Sequence, residues 1–299
     1  MTEPTGHDLS FGTHRERNLA LQSLSIGPLA LPLNLLALLL AAGAALIAGR
    51  LAVAKPEKGI GDVLTEMFLA GVLVARAAFV GAWFDVYRHA PLTALDIRDG
   101  GFMPWAGVAA AVLVAVLRGW RRPGLRRGLA AGLLAGGVVY AAMAGTLSLL
   151  QRPAMPEVPL QTLAGEAAQP LALAGGKPMV VNLWATWCPP CRREMPMLVA
   201  AQRRETDVAF IFIDQGEDAA TVRRFLAAGH LAVENVLLDP GGRFGHEVGS
   251  MALPTTLFYD GSGRLVDSRV GALAEASLAS RLARLRERTR KVSSGVNGS

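Results

Sequence analysis

Cys188 and Cys191 are the only cysteines of this chain, and they stand in Trp187-Cys188-Pro189-Pro190-Cys191. Two thiols at that spacing can close a small, reversible disulfide. The chemistry needs one accessible, acidified thiol and a second that resolves the mixed disulfide formed on the first. Cys188 fits the first role and Cys191, one helical turn inward, the second. Pro190 stiffens the turn and is tolerated in a first helical turn. A metal site would want further Cys or His nearby, and the segment has none. A fixed disulfide this tight closes too small a loop to stabilise much. The residues read as a redox dithiol, with no metal and no cofactor.

The elements that must position the pair lie around it. The apolar run 179–184 predicts a buried strand, and 192–199 predicts the start of a helix. A strand running into a helix puts Cys188 at the helix N-terminus, where the dipole and free N–H groups favour a thiolate. Downstream, residues 208–213 and 233–238 predict strands, and 218–228 and 244–248 predict helices. Residues 255–259 and 265–270 predict a hairpin across Asp260-Gly261-Ser262-Gly263, and 273–286 a last amphipathic helix. An α/β domain is therefore expected over 161–287, with a disordered tail over 288–299.

The first half has a different composition. Mean hydropathy is +0.34, and the excess sits in a Leu-, Ala-, Gly- and Val-rich first half. A bilayer span needs about 20 apolar residues. Segments 29–48, 63–84, 103–117 and 129–150 predict a transmembrane helical domain over 29–150, with about four spans. The first is too long for the core of a cleaved leader and is read as retained. Phe102 and Trp105 can anchor the short third span, and Gly132, Gly136 and Gly137 give the fourth small-residue packing faces. Residues 1–28 read as a flexible tail, and the Pro-rich 151–160 as a linker. Arg76 lies inside the second span. It is either a structural bond or snorkelling group or a functional charge, and it sits too far from Glu66 to pair with it. His7, His14 and His89 read as solvated loop residues.

Lys and Arg bias gives the orientation. Arg50, Lys55 and Lys58, and then Arg118, Arg121, Arg122, Arg126 and Arg127, place two loops inside. The mixed loop 85–101 and the C-terminal domain then face outside, against the dissent of Arg15 and Arg17. This topology accounts for the net charge of +6 better than nucleic acid does, because the basic residues are not interleaved with aromatics. No cysteine lies in any span, so a separate transmembrane donor must supply electrons.

The stretch from Asn182 through Cys188-Pro189-Pro190-Cys191-Arg192-Arg193-Glu194-Met195-Pro196, with Leu253-Pro254-Thr255-Thr256, resembles the TlpA/ResA/CcmG branch of thioredoxin-like proteins over about residues 153–286. These are membrane-tethered thiol–disulfide reductases of the bacterial cell envelope. The resemblance implies a thioredoxin-like fold, a catalytic set of Cys188, Cys191, Glu194 and Pro254, and a cis bond before Pro254 in the Met251-Ala252-Leu253-Pro254 segment. Glu194 would tune the thiols and assist proton transfer. Trp187, Pro189, Pro190, Leu253 and Thr255 would meet the substrate, Trp187 walling Cys188, while Trp184 would be core. Ala75-Arg76-Ala77-Ala78-Phe79-Val80, Pro91 and Asp99-Gly100-Gly101-Phe102 resemble prolipoprotein diacylglyceryl transferases over 62–130. Met103-Pro104-Trp105-Ala106-Gly107 stands where that family has its His-Gly-Gly segment, which argues against transferase chemistry.

The expected function is a thiol–disulfide oxidoreductase of the bacterial inner membrane, its thioredoxin-like domain facing the periplasm and acting as a reductase. The expected partners are periplasmic protein disulfides, a separate electron donor and membrane lipid. The alternatives are a lipoprotein-processing accessory that keeps acceptor cysteines reduced, and a copper-binding module. The direction of electron flow stays open.

Overall fold

The computed structural model describes residues 23–26, 29–52, 59–88, 91–95, 100–150, 154–250 and 252–296. His7, His14, Arg15, Arg17, Lys55, Lys58, His89, Asp99, Arg152, Pro153 and Met251 fall outside the described residues. Long apolar helices come first, and a mixed sheet layered with helices follows.

Helix α1 (Leu33–Leu51) begins later than the apolar run that opens at Leu29. Leu31 precedes Pro32, and a residue before proline is driven out of helical geometry. Leu29–Pro32 (β2) instead pairs antiparallel with Ser23–Ile26 (β1), within and beside the expected tail. Helix α2 (Ile60–Ala82) is followed by the short α3 (Phe84–Tyr87), a 3-10 turn at Pro91–Leu95, α4 (Pro104–Arg121) and α5 (Arg126–Leu150). Helix α1 packs along α5, and α2 along α4.

Small residues permit the close approach. A Cβ on Gly132 would stand 3.0 Å from Ala45 O, and one on Gly136 3.1 Å from Ala41 O. Gly137 faces open space and makes no such contact. A fork of Arg118 on Glu66 (Nη2–Oε1 2.6 Å, Nε–Oε2 2.9 Å) ties α4 to α2. Four spans were expected. Two stretches, Ile60–Ala82 and Pro123–Thr146, are long and apolar enough to cross a bilayer. The apolar stretch Leu36–Leu51 of α1 is shorter. Arg118 and Arg121 interrupt the apolar character of α4 at its end.

The second half is built on a sheet of order β4-β3-β7-β6-β5-β8-β9. Its central strands are β5 (Met179–Trp184), β6 (Ala209–Gln215) and β7 (Val236–Asp239), mutually parallel. β8 (Thr255–Tyr259) runs antiparallel to β5, and β9 (Leu265–Val270) antiparallel to β8. At the other edge lie β3 (Leu160–Thr162) and β4 (Ala167–Ala168). Alternation along the strands makes two cores. Val180, Trp184, Phe210 and Phe212 face α7 (Pro189–Arg204), α8 (Ala219–Ala228) and α10 (Glu275–Val296). Val181, Leu183, Ile211 and Ile213 face α6 (Pro170–Ala174) and α9 (Arg243–Glu247).

The chain is held against this sheet from within the expected linker. Ala154 bridges Arg264, and Met155 N donates to Gly263 O at 2.8 Å. At the other end, α10 continues to Val296, through most of the expected disordered tail. Its Leu, Arg, Glu and Lys residues are strong helix formers, and Arg286 ties it to Glu205 and Asp207.

Candidate functional site

The site forms where β5 runs into α7. Cys188 is the N-cap of α7, and Cys191 N donates to its Sγ at 3.3 Å. The two sulfurs are joined as a disulfide, with Cα atoms 5.3 Å apart. The expected open thiol is nearly covered: Cys188 is 3 % exposed and Cys191 fully buried. The open group is Trp187, next to Cys188 in the chain and 66 % exposed. Pro189 is exposed and Pro190 half-buried. Trp184 is buried in the core, as its strand position requires.

Glu194, one turn after Cys191, points inward. Its Oε1 accepts from Asn182 Nδ2 at 3.0 Å and its Oε2 from Leu273 N at 2.9 Å. It is nearly fully buried rather than a solvated helix charge. Burial pushes its carboxyl up to about 7, against the Leu273 and Asn182 hydrogen bonds and the charge of Arg269. Asn182 reaches this point because Val180, Asn182 and Trp184 share the α7 face of β5. Its Nδ2 also donates to Thr256 Oγ1 at 3.1 Å, across the β5–β8 register pair.

The Leu253–Pro254 bond is cis, and Pro254 O accepts from Gly271 N at 2.8 Å. Leu253 is half-buried and packs against both cores. Thr255, expected to meet substrate, is fully buried. Its hydroxyl donates to Ala252 O at 2.7 Å and lies 2.7 Å from Ser250 Oγ, so it locks its own loop.

A carboxylate absent from the expected set holds the loop before Cys188. Glu217 accepts from Thr186 N at 2.5 Å and Thr186 Oγ1 at 2.6 Å. Glu217 N in turn donates to Asp214 Oδ1 at 2.9 Å. Asp214 is the last residue but one of β6 and is fully buried; burial, and Glu217 beside it, hold its carboxyl above the ordinary range. One signal was visible: Asp214 follows the apolar run of its strand, where a charge is costly without a partner. Among the described residues, no group of three or more His, Cys, Asp or Glu is placed to hold a metal ion.

Residues 152–282 match the Redoxin family model. The thioredoxin-like protein YneN of Bacillus subtilis is 34 % identical over 131 residues, which cover 42 % of this chain and 75 % of YneN. The chain belongs to the redoxin family. The thiol:disulfide interchange protein HelX of Rhodobacter capsulatus is 34 % identical over 121 residues, 40 % of this chain and 68 % of HelX. The thiol-disulfide oxidoreductase ResA of Halalkalibacterium halodurans is 32 % identical over 118 residues, 39 % of this chain and 66 % of ResA. This redoxin is a thiol–disulfide oxidoreductase with a thioredoxin-like α/β domain.

Proposed function

We propose that this redoxin is a membrane-anchored disulfide reductase in which Cys188 attacks and Cys191 resolves. The observation that carries this reading is the pair itself, linked as a disulfide at the N-terminus of α7. In the reduced protein the Cys188 thiolate attacks one sulfur of a substrate disulfide. The bond formed is a mixed disulfide, and the bond broken releases one substrate thiolate, which takes up a proton. Cys191 then attacks Cys188 Sγ, frees the second substrate thiol and leaves the Cys188–Cys191 disulfide. Two electrons have passed to the substrate. A dithiol donor in the membrane returns them, because no cysteine lies in the helical half.

Glu194 serves as the proton acceptor and donor for Cys191 in this scheme, being buried one turn along the same helix. Trp187 and Pro189 offer the exposed surface on which a substrate chain rests, and the backbone around Leu253 and Pro254 offers it pairing.

The helical half, through residue 150, is read as the anchor, with the redox domain facing the periplasm of a bacterial inner membrane. Two features support this. The two long apolar stretches are only 33 % and 17 % buried among the described residues, whereas a soluble core helix would be mostly covered. The basic ends also gather together: Gly59 lies beside Arg122, Gly61 beside Arg50, and Arg118 on Glu66. That end is read as cytoplasmic and the Tyr87–Gly100 end as outer. All four long helices, α1 among them, are taken to cross.

The test is the reduction potential of the full chain and the activity of Cys188→Ala. A potential near that of thioredoxin, about −270 mV, with Cys188→Ala reduced to background, supports a reductase. A potential near about −120 mV makes the protein a disulfide donor. Undiminished activity in Cys188→Ala overturns the assignment.

A further inference from the structure

Among the described residues the helical half meets the redox half at α10 and β9, and that contact leads to Glu194. Tyr87 and Phe79 pack with Ala276 of α10 in a single buried cluster, with Trp83, Ala94 and Met103 around it. Tyr87 and Ala276 are both buried. Beside this cluster, Gly100 adopts φ 67° and lies so close to β9 that a Cβ there would stand 2.6 Å from an Arg269 guanidinium nitrogen. Arg76 holds the platform together from inside α2. It donates to Ala94 O at 2.9 Å and to Gly101 O at 2.8 Å, and stacks over the rings of Tyr87 and Phe102 at 5.6 and 5.8 Å.

Both contacted elements act on one carboxyl. Ala276 follows Leu273 by less than one helical turn, and Leu273 N is the donor to Glu194 Oε2. Arg269, against Gly100, is the cation whose field acts on Glu194. Among the described residues, the neutral Asn182 of β5 also donates to Glu194, with Thr256 of β8 behind it, and Cys191 precedes Glu194 by about one turn of α7.

We propose that Tyr87, Phe79 and Gly100 form a docking surface for β9 and α10, through which the helical half controls the reactivity of the Cys188–Cys191 pair by positioning Arg269 and Leu273 against Glu194. Docked, Arg269 and the Leu273 amide both favour the Glu194 carboxylate. Undocked, both loosen and Glu194 holds its proton to higher pH. The membrane half is then a regulator of the redox half as well as its anchor. This rests on the reading that Glu194 serves the thiol chemistry.

The test uses the reduced full chain in lipid nanodiscs and the pH profile of Cys188 alkylation. Glu194→Gln identifies the limb that Glu194 controls. Arg269→Gln, Tyr87→Ala and Gly100→Ala are each expected to move that limb up by about 0.5–1 pH unit, the effect of removing or displacing one nearby charge. Hydrogen exchange at 273–278 is expected to quicken in Tyr87→Ala and Gly100→Ala, a direct measure of undocking. In a Glu194→Gln background the shifts disappear. A profile unchanged by Glu194→Gln sinks the role given to Glu194. A profile that responds to Glu194→Gln and Arg269→Gln, but to neither Tyr87→Ala nor Gly100→Ala, overturns docking control and leaves the site reading standing. Unchanged exchange at 273–278 in both docking variants overturns the contact itself.

Discussion

Glu194 is a carboxyl whose surroundings oppose its charge, and the sign of the consequence follows from linkage. In an unfolded chain it ionises near 4.5; in the fold, burial holds its proton until about 7. The folded state therefore binds a proton that the unfolded state has lost. The stability from this group is fully present below 4.5 and is lost as pH rises to about 7. The gap corresponds to about 3 kcal/mol at most. Between pH 4.5 and 7.5 the oxidised wild type should lose up to that much stability relative to Glu194→Gln, read from the slowest-exchanging amides of β5. Equal pH dependence in the two proteins would remove the buried-acid account. For catalysis, the same variant should be slower at neutral pH by about 10²-fold, the usual contribution of a placed acid–base group. Single-turnover reduction of a model disulfide checks it, and that loss should shrink where proton transfer is no longer limiting.

At the scale of elements, the pair is held by two loops at the same end of the parallel strands, one after β5 and one after β6. Glu217 joins them through the amide and hydroxyl of Thr186. Glu217→Ala should leave those donors without their acceptor and cost about 1–3 kcal/mol, measured by denaturant midpoint, with slower disulfide exchange at Cys188. Asp214→Asn should act in the opposite direction at alkaline pH. It keeps an oxygen for Glu217 N and removes an acid that burial and Glu217 make costly to ionise, so the variant should gain stability over wild type at pH 8 and none at pH 4. These elements also show what the sequence could reveal. Strands 179–184, 255–259 and 265–270 match β5, β8 and β9, because β-branched and apolar-rich runs, the last two flanking an Asp-Gly-Ser-Gly turn, mark them out. Asp218 marks the start of α8 by capping Thr221 N at 2.8 Å. β3, β4 and α6 escaped, since elements of two to five residues carry too little period to register. Glu194 was recognisable only by family likeness. Glu217 was not recognisable at all, because its partner Thr186 lies on another strand's loop and only the parallel β5–β6 pairing brings them together.

At the scale of the molecule, the proposed membrane orientation and the packing of the two halves bear on one another. On the proposed topology, Arg and Lys bias puts the loop after Ala82 outside. Packing puts Tyr87, on that loop, against α10 of the redox half. Were the loop on the cytoplasmic side and the redox half in the periplasm, a bilayer about 30 Å thick would separate them and this contact could not form. The contact therefore requires the loop and the redox half to share a side, and the proposed orientation makes that side the periplasm. In intact spheroplasts, a membrane-impermeant maleimide should label the reduced Cys188–Cys191 pair as fully as it does after lysis. No other thiol of the chain can contribute to that signal. Alkaline carbonate should leave the full chain in the membrane pellet, because most of the apolar stretches of α2 and α5 is left uncovered by the described residues. Labelling only after lysis would place the pair in the cytoplasm. It would reverse the orientation of every helix, and the loop carrying Tyr87 would have to cross with the redox half for the docking contact to survive. Labelling before lysis, with retention in the pellet, would fix the outer end of the bundle as the end that carries Tyr87, Ala94 and Gly100. It would also fix the Arg118–Arg127 end as the inner one, which is the arrangement needed for a donor in the bilayer to reach the pair from its own side.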